Sequence, residues 1–161
     1  MYRIIDLDNC ISDDAWRIPY IDWQHLQPMR RYHNYHSLAP FDKFENKHLF
    51  ATNDRIIIFT ARPVMYRCAT VEWLRRNGIV YSYLLMRNNS DHKHSLDLKR
   101  EHLSWLPELY GVPLSMIQLA VDDHQEIVDM YRAKGLRAER VAIHDLPYQP
   151  PAKEERHAES C

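Results

Sequence analysis

Glycine is scarce in this sequence, with only three among 161 residues. A phosphate-binding loop of the P-loop or dinucleotide type needs several glycines close together, because its backbone must approach the phosphates closely. The glycines of this chain stand far apart, at Gly78, Gly111 and Gly135. The sequence therefore excludes a glycine-rich nucleotide-binding loop.

Cysteines and long apolar runs are also scarce. The three cysteines, Cys10, Cys68 and Cys161, are odd in number and show no C-x-x-C spacing, which suggests free thiols and a reducing compartment. No apolar run approaches the roughly 20 residues of a membrane-spanning helix. A strand pattern begins almost at the first residue, so we expect no signal peptide. These features predict a cytoplasmic protein with no membrane partner.

An excess of charge of either sign is missing as well. The 21 Lys and Arg residues are balanced by 22 Asp and Glu residues, which gives a net charge of -1. No global basic field exists to attract long nucleic acid, although a local patch of arginines could form. The length and the apolar share of 45% fit one globular domain. Nothing in the sequence indicates an oligomeric state.

The sequence does contain apolar strands that alternate with helical patterns. Strands are predicted at 2–7, 55–59, 80–86, 115–121 and 137–143, and helices at 63–77, 96–106 and 125–134. Pro63 suits the first turn of a helix, and Gly78 suits its C-terminal stop. In the predicted helix 63–77, apolar residues recur at helical spacing and predict a stripe that faces the core: Val64, Cys68, Val71 and Leu74. This alternation predicts an α/β fold with a mainly parallel sheet and helices on both faces.

The first two strands are separated by a long irregular stretch rich in aromatic residues. We expect a single domain over residues 1–146, with a cap-like insert at about 13–52. An insert of this length between two strands is often functional. The Pro-rich and charged end, residues 147–161, is predicted to be a flexible tail.

Two acidic stretches end apolar strands that lie far apart in the chain. Asp6 and Asp8 follow the first strand, and Asp122 and Asp123 follow the fourth. Because the carboxyl ends of parallel strands share one edge of a sheet, these side chains should meet where α/β proteins bind ligands. Their carboxylates repel one another unless a cation joins them, and Mg²⁺ takes such oxygen ligands together with substrate phosphate. The sequence therefore predicts a Mg²⁺ site with these four residues as candidate ligands.

Four motifs occur in a fixed order: Asp6-x-Asp8, Thr60 at a strand end, Lys99 on a helix, and Asp122-Asp123. In this order they resemble the haloacid dehalogenase (HAD) superfamily of phosphatases. The first motif of that family is DxDx[TV], and Cys10 stands here at its last position. The resemblance is closer to the phosphatase domain of bacteriophage polynucleotide kinase, and it is carried by residues 60–62, 97–101, 105, 119–123 and 128–131. It implies a Rossmann-like HAD fold with a small cap insert after the first strand.

The resemblance also implies roles for individual residues. Asp6 would be the nucleophile that forms an aspartyl-phosphate, and Asp8 would protonate the leaving oxygen and then activate water. Thr60 would donate a hydrogen bond to the phosphate, and Lys99 would neutralise its charge. Lys93, which also follows the third strand, remains an alternative to Lys99. Mg²⁺ would be held by Asp6, the Asp8 backbone carbonyl, and either Asp122 or Asp123.

Candidate substrate-binding residues are arginines and the aromatic residues of the insert. Arg62 could form a forked hydrogen bond to phosphate. Residues of the insert could stack on a base or contact the sugar or phosphate, with packing onto the sheet as the alternative: Trp16, Arg17, Tyr32, His33, Tyr35 and His36. Because no basic excess exists and the insert is aromatic, we favour one small nucleotide as the substrate.

We therefore expect a Mg²⁺-dependent phosphomonoesterase that acts on a (deoxy)nucleoside monophosphate. The first alternative is a polynucleotide 3'-phosphatase, whose partner would be a nucleic-acid 3' end. An alternative of another class is a receiver-like phosphorylation switch. That class needs an acceptor aspartate at the end of its third strand, where this chain has Arg87 and Asn88.

Overall fold

The fold is built on a five-stranded parallel sheet, with two very short strands inside the insert. The computed structural model describes residues 1–148, so residues 149–161 of the predicted tail lie outside the described residues. The strands are β1 Tyr2–Asp6, β2 Ser12–Asp13, β3 Lys43–Phe44, β4 Arg55–Pro63, β5 Tyr83–Arg87, β6 Ile117–Asp122 and β7 Ala138–Arg140. The α-helices are α1 Pro28–Arg31, α2 His33–Ser37, α3 Arg67–Arg76, α4 Ser95–Leu109 and α5 Gln125–Ala133.

The main sheet has the strand order β5-β4-β1-β6-β7, and all its pairs are parallel. The chain first builds outward from β1 through β4 to β5, then returns to the other side of β1 for β6 and β7. The order thus reverses between β1 and β6. Ligands of open α/β sheets bind at such a switch point, beyond the carboxyl ends of the strands. This topology brings the two acidic stretches of the sequence to one place.

Helices cover both faces of the sheet, as predicted. Alternate residues of β1 point to opposite faces, so Ile4 belongs to one apolar cluster and Ile5 to the other. Residues of α4 and α5 pack in the first cluster, and Trp73 and Leu74 of α3 pack in the second. Both faces are buried, which explains why the central strands read as continuous apolar runs.

The structure corrects two predictions around the first long helix. β4 does not end at Thr60 but continues to Pro63, because pairing with β5 resumes at Pro63 and Arg87 after an irregularity. Pro63 precedes a 3₁₀ turn at Val64–Tyr66 rather than opening the helix. The predicted apolar stripe is also displaced, because Cys68 is exposed. The buried residues of α3 are Thr70, Trp73 and Leu74.

The insert between β1 and β4 consists of short helical turns and the antiparallel pair of β2 and β3. Its two strands pair through Ser12 with Phe44 and Asp13 with Lys43. In its second half, Leu49 packs into the apolar cluster beside α3. Within residues 1–148, no helix has both the length and the apolar character that a membrane span requires.

Candidate active site

Three carboxylates meet at the switch point between β1 and β6. Asp6 ends β1, Asp122 ends β6, and Asp123 follows directly; all three are buried. One oxygen atom from each of them lies within 4.8 Å of the others. The geometry therefore brings Asp6, Asp122 and Asp123 together at this edge of the sheet, and their role as metal ligands stays a prediction.

Among residues 1–148, one lysine lies among these carboxylates. The Nζ atom of Lys99, on α4, lies 2.7 Å from Oδ1 of Asp6 and 2.5 Å from Oδ2 of Asp122. The side chain of Asp123 instead accepts a hydrogen bond from Nδ2 of Asn9 at 2.9 Å. Asp6 and Asp122 thus share the ammonium group of Lys99, Asp123 does not contact it, and the cluster has an excess of negative charge.

The excess charge is reflected in the pKa values. Burial raises the pKa of Asp6 well above its ordinary value; Lys99 opposes this rise, whereas Asp122 and Asp123 add to it. Burial and the neighbouring Asp122 also raise the pKa of Asp123. The ammonium pKa of Lys99 is raised despite burial, because Asp122 and Asp6 stabilise its charge. A hard cation with oxygen preference would relieve this repulsion, so the donor set fits Mg²⁺.

Asp8 lies apart from this cluster and contacts two arginines. Nη2 of Arg62 donates to Oδ1 of Asp8 at 2.6 Å, and Nη2 of Arg17 donates to the same oxygen atom. Burial by itself would raise the pKa of Asp8, but Arg62 and Arg17 lower it well below its ordinary value. The carboxylate of Asp8 is therefore ionised and fixed. Its side chain does not join the cluster of Asp6, Asp122 and Asp123.

A tight turn after β1 sets the direction of Asp8. Asn9 has a φ of 59°, the left-handed region that Asn tolerates better than most residues. Its Oδ1 atom accepts the backbone N–H groups of Ile143 and His144 at 3.1 and 2.9 Å. Cys10, at the last position of the DxDx[TV] motif, is fully buried among apolar residues. A small apolar side chain thus fills the place that Thr or Val holds in the family motif.

Thr60 and Lys93 have very different surroundings. Thr60 is fully buried in β4, and its Oγ1 accepts the backbone N–H of Arg62 at 3.2 Å. Lys93 lies at the rim, where its Nζ contacts Glu101 at 2.8 Å and Asp91 at 3.3 Å. Of the two candidate lysines, only Lys99 reaches Asp6 in this structure.

A cleft of about 510 Å³ opens above Asp6, Asp8, Lys99 and Asp123. Aromatic rings from the insert form part of its wall, and loops at the carboxyl edge of the sheet form the rest. Other residues of the wall are Tyr32, Tyr35, His36, Arg87, His92, Lys93, His94, His124 and Tyr148. Burial lowers the pKa of His36 to about 3, so its imidazole is neutral at physiological pH.

Four of the predicted substrate-binding residues lie elsewhere. Arg17 and Arg62 are fully buried and hold Asp8, so neither offers free surface to a substrate. The indole N–H of Trp16 donates to Oδ1 of Asp42 at 3.0 Å, behind the cleft. Nδ1 of His33 lies 2.7 Å from the hydroxyl of Tyr66. The cleft wall, within residues 1–148, therefore includes Tyr32, Tyr35, His36 and Lys93 from the predicted set but not these four.

Two aspartates of the insert were missed by the sequence analysis. Asp42 is buried and accepts hydrogen bonds from Arg17. Asp14 is fully buried and accepts the hydroxyl protons of Tyr35 and Tyr148. Neither follows an apolar strand, so the strand-end signal that found Asp6 could not find them. The hydrogen bond to Asp14 thus holds Tyr148 in the wall of the cleft.

The family of this chain follows from comparison with known protein families. Residues 2–146 match the family described as the polynucleotide kinase PNKP phosphatase domain, of the HAD type. The chain belongs to this family. It is accordingly a HAD-type phosphatase domain, and the receiver-like alternative falls away. Among curated proteins, none matches the sequence.

Solved structures agree with the fold. A chain of the Pnkp1/Rnl/Hen1 RNA repair complex superimposes with a TM-score of 0.64 at 24% identity, over 90% of this chain and 43% of that one. A hydrolase from Streptococcus pneumoniae TIGR4 gives a TM-score of 0.53 at 11% identity, over 85% and 90% of the two chains. A HAD-superfamily hydrolase from Geobacter sulfurreducens PCA gives 0.51 at 13% identity, over 86% and 85%. The protein thus spans less than half of the repair-complex chain.

Proposed function

We propose that this protein is a Mg²⁺-dependent phosphomonoesterase that acts through an aspartyl-phosphate on Asp6. The observation that carries the proposal is that Asp6, Asp8, Lys99 and Asp123 all line one cleft. The cation would be held by Asp6 and Asp123, with Asp122 beside them. When bound, Mg²⁺ supplies positive charge that lets an anionic phosphate approach anionic carboxylates.

The residues of the chain divide the reaction between them. An oxygen of Asp6 attacks phosphorus, and the bond between phosphorus and the leaving oxygen breaks. Asp8 gives a proton to that oxygen and later takes a proton from the water that attacks the aspartyl-phosphate. The bound dianionic phosphate adds negative charge near Asp8, so the Asp8 carboxylate takes up a proton from solvent as the substrate binds, against the effect of the two arginines. Lys99 and the hydroxyl of Thr60 stabilise charge on the phosphate.

For the substrate we favour the 3'-phosphate at the end of a polynucleotide. The family match supports this choice over the free nucleotide that the sequence suggested. The rim of the cleft supports it as well, since it carries Arg87, His92, Lys93, His94 and His124. Nε and Nη1 of Arg87 donate to the carbonyl oxygens of Ala61 at 3.1 Å and Lys93 at 2.7 Å, which fixes the rim in place.

A free (deoxy)nucleoside monophosphate is the second candidate. The rings of Tyr32, Tyr35 and Tyr148 line one cleft with the reactive carboxylates, an arrangement that suits one stacked base. The free thiols of Cys10 and Cys68 support the reducing, cytoplasmic setting that either substrate would share.

One substrate panel tests these proposals. Phosphate release is measured with a 3'-phosphorylated oligonucleotide and with free 3'- and 5'-nucleoside monophosphates, using Asp6→Asn as the inactive control. We expect the highest kcat/KM with the oligonucleotide. Faster turnover of a free mononucleotide would favour the second candidate. No release from any substrate above the Asp6→Asn control would contradict the proposed activity.

A further inference from the structure

Behind the cleft, four charged side chains form a buried cluster of two arginines and two aspartates. Nη2 of Arg17 lies 2.6 Å from Oδ2 of Asp42, and Nη2 of Arg62 lies 2.6 Å from Oδ1 of Asp8. Arg62 also approaches Asp42 at 3.7 Å. The side chains of Arg17, Arg62 and Asp42 are 0% exposed, whereas that of Asp8 is 19% exposed. Only Asp8 therefore presents the cluster to the cleft.

The carboxylate of Asp42 accepts hydrogen bonds from three side chains, those of Ser12, Trp16 and Arg17. Its carboxylate accepts from Oγ of Ser12 at 2.5 Å, from Nε1 of Trp16 at 3.0 Å and from Nε of Arg17 at 2.8 Å. Its backbone carbonyl accepts the indole N–H of Trp73 at 2.9 Å. The carboxylate is thus fixed from several sides while it lies outside the cleft wall.

The guanidinium of Arg17 depends on Asp42 for its position. Nε and Nη2 both donate to Asp42, Nη1 donates to the carbonyl of Tyr35 at 2.9 Å, and Nη2 reaches on to Asp8. The ring of Tyr35 lies under the guanidinium at 4.2 Å. Because a forked guanidinium has a fixed geometry, holding Nε and Nη2 on Asp42 determines where Nη2 meets Asp8.

We infer that Asp42 is a positioning residue for the phosphatase reaction, which holds Arg17 against Asp8 so that the Asp8 carboxyl faces the leaving oxygen. This inference rests on the proposed function, in which Asp8 protonates that oxygen. Without Asp42, two buried guanidinium groups share the single carboxylate of Asp8. An uncompensated buried charge reorganises its surroundings, and the Asp8 side chain is drawn away from the cleft.

The test compares two leaving groups with Asp42→Asn. A nucleoside 3'-monophosphate releases a basic alkoxide that needs a proton, whereas 4-nitrophenyl phosphate releases a stable anion that needs none. The parameter is kcat/KM, because it covers the steps up to leaving-group release and omits the later hydrolysis. Proton donation contributes about 10²–10⁴-fold, so we expect the nucleotide kcat/KM to fall at least about tenfold more than that of the aryl ester.

Two further variants serve as controls for Asp42→Asn. Asp42→Glu keeps the charge and should recover part of the nucleotide kcat/KM. Asp54→Asn removes a carboxylate that pairs with Arg3 at 3.3 Å and directly precedes β4, at the sheet edge opposite the cleft. It should leave the ratio of the two substrates unchanged.

Each outcome decides the inference. An equal loss with both substrates in folded Asp42→Asn would make Asp42 a purely structural residue and overturn it. If Asp42→Asn does not fold, Trp16→Phe takes its place, because it removes the indole N–H that donates to Asp42 and leaves the other donors to Asp42 in place. A several-fold loss confined to the nucleotide supports the inference, and its absence overturns it. A wild-type protein that hydrolyses neither ester nor a 3'-phosphorylated oligonucleotide would overturn the proposed function itself.

Discussion

Replacing Lys99 with methionine removes the ammonium group that pairs with Asp6 and Asp122 in the buried carboxylate cluster. Nζ of Lys99 lies within 2.7 Å of Asp6 and 2.5 Å of Asp122, and its side chain is 3% exposed. Removing one partner of a buried ion pair typically costs about 3–5 kcal/mol, since the remaining charge stays buried without compensation. For a domain of this size, such a loss lowers Tm by about 6–20 °C.

The loss should depend on pH in a defined direction. Asp6 has a folded pKa above its unfolded value of 3.8, so its burial costs little stability below that value and more as pH rises through the folded pKa. Lys99 opposes this rise, so its removal raises the pKa of Asp6 further. In the wild type, the pKa of Lys99 is raised in the folded state. Its ion pairs therefore contribute to the free energy of unfolding fully below pH 10.5, and this contribution is lost as pH rises through the folded pKa. The deficit of Lys99→Met should therefore be largest near neutral pH and smallest in acid.

The assay is denaturant and thermal unfolding of chelator-treated protein, with Lys93→Met as the matched control. Lys93 forms surface ion pairs with Asp91 and Glu101 at the rim, so its removal should change stability little. Added Mg²⁺ should stabilise Lys99→Met more than wild type, because a cation that binds the folded state replaces the missing charge. If Lys99→Met is as stable as Lys93→Met without metal, the reasoning about this cluster is wrong.

Four further outcomes are expected. Asp6→Asn should abolish phosphate release while circular dichroism stays unchanged, and near wild-type turnover would remove Asp6 from the mechanism. A chelator should stop activity and Mg²⁺ should restore it, with Ca²⁺ a poor substitute because it prefers more ligands and looser geometry; full activity in excess chelator would contradict the carboxylate site. Burial and nearby Lys99 lower the pKa of His102 from 6.5 to about 4. The ring is thus neutral when folded, and its protonation favours unfolding. The free energy of unfolding should fall by up to about 3 kcal/mol as pH drops through this window, and a His102→Gln variant with the same slope would refute this assignment. Tyr32→Ala and Tyr148→Ala should raise KM for a nucleotide more than for a small phosphate ester, since stacking contributes about 1–3 kcal/mol per base; equal changes for both substrates would make these rings packing residues.

Strand-end positions could be predicted from the sequence because their signals are local. An apolar run that ends in Asp6, or in Asp122 and Asp123, fixes its carboxylates at the edge of a sheet whatever the rest of the chain does. The spacing of residues along α4 also places Lys99, but not Lys93, on the buried face of that helix. The buried face of α4 contains Leu98, Lys99, His102, Leu103 and Leu106, which is the spacing of one helical face.

The roles of the insert could not be predicted in the same way. Trp16, Arg17 and Tyr32 suggested a surface that stacks a base, but only Tyr32 lies in the cleft wall. Arg17 turns inward because Asp42, 25 positions later, and Asp8 both pair with it. A short irregular segment has no periodicity that separates an inward arginine from an outward one.

The sequence by itself determined the parallel sheet, the edge where its carboxylates meet and the family of its motifs, because these follow from local patterns of apolar and acidic residues. Tertiary structure alone decided that Asp8 is held by Arg17 and Arg62, that Asp42 supports them, and that Tyr148 closes one side of the cleft. Those contacts join residues up to 134 positions apart, as between Asp14 and Tyr148. Their geometry depends on how the insert folds back over the sheet, which no local pattern specifies.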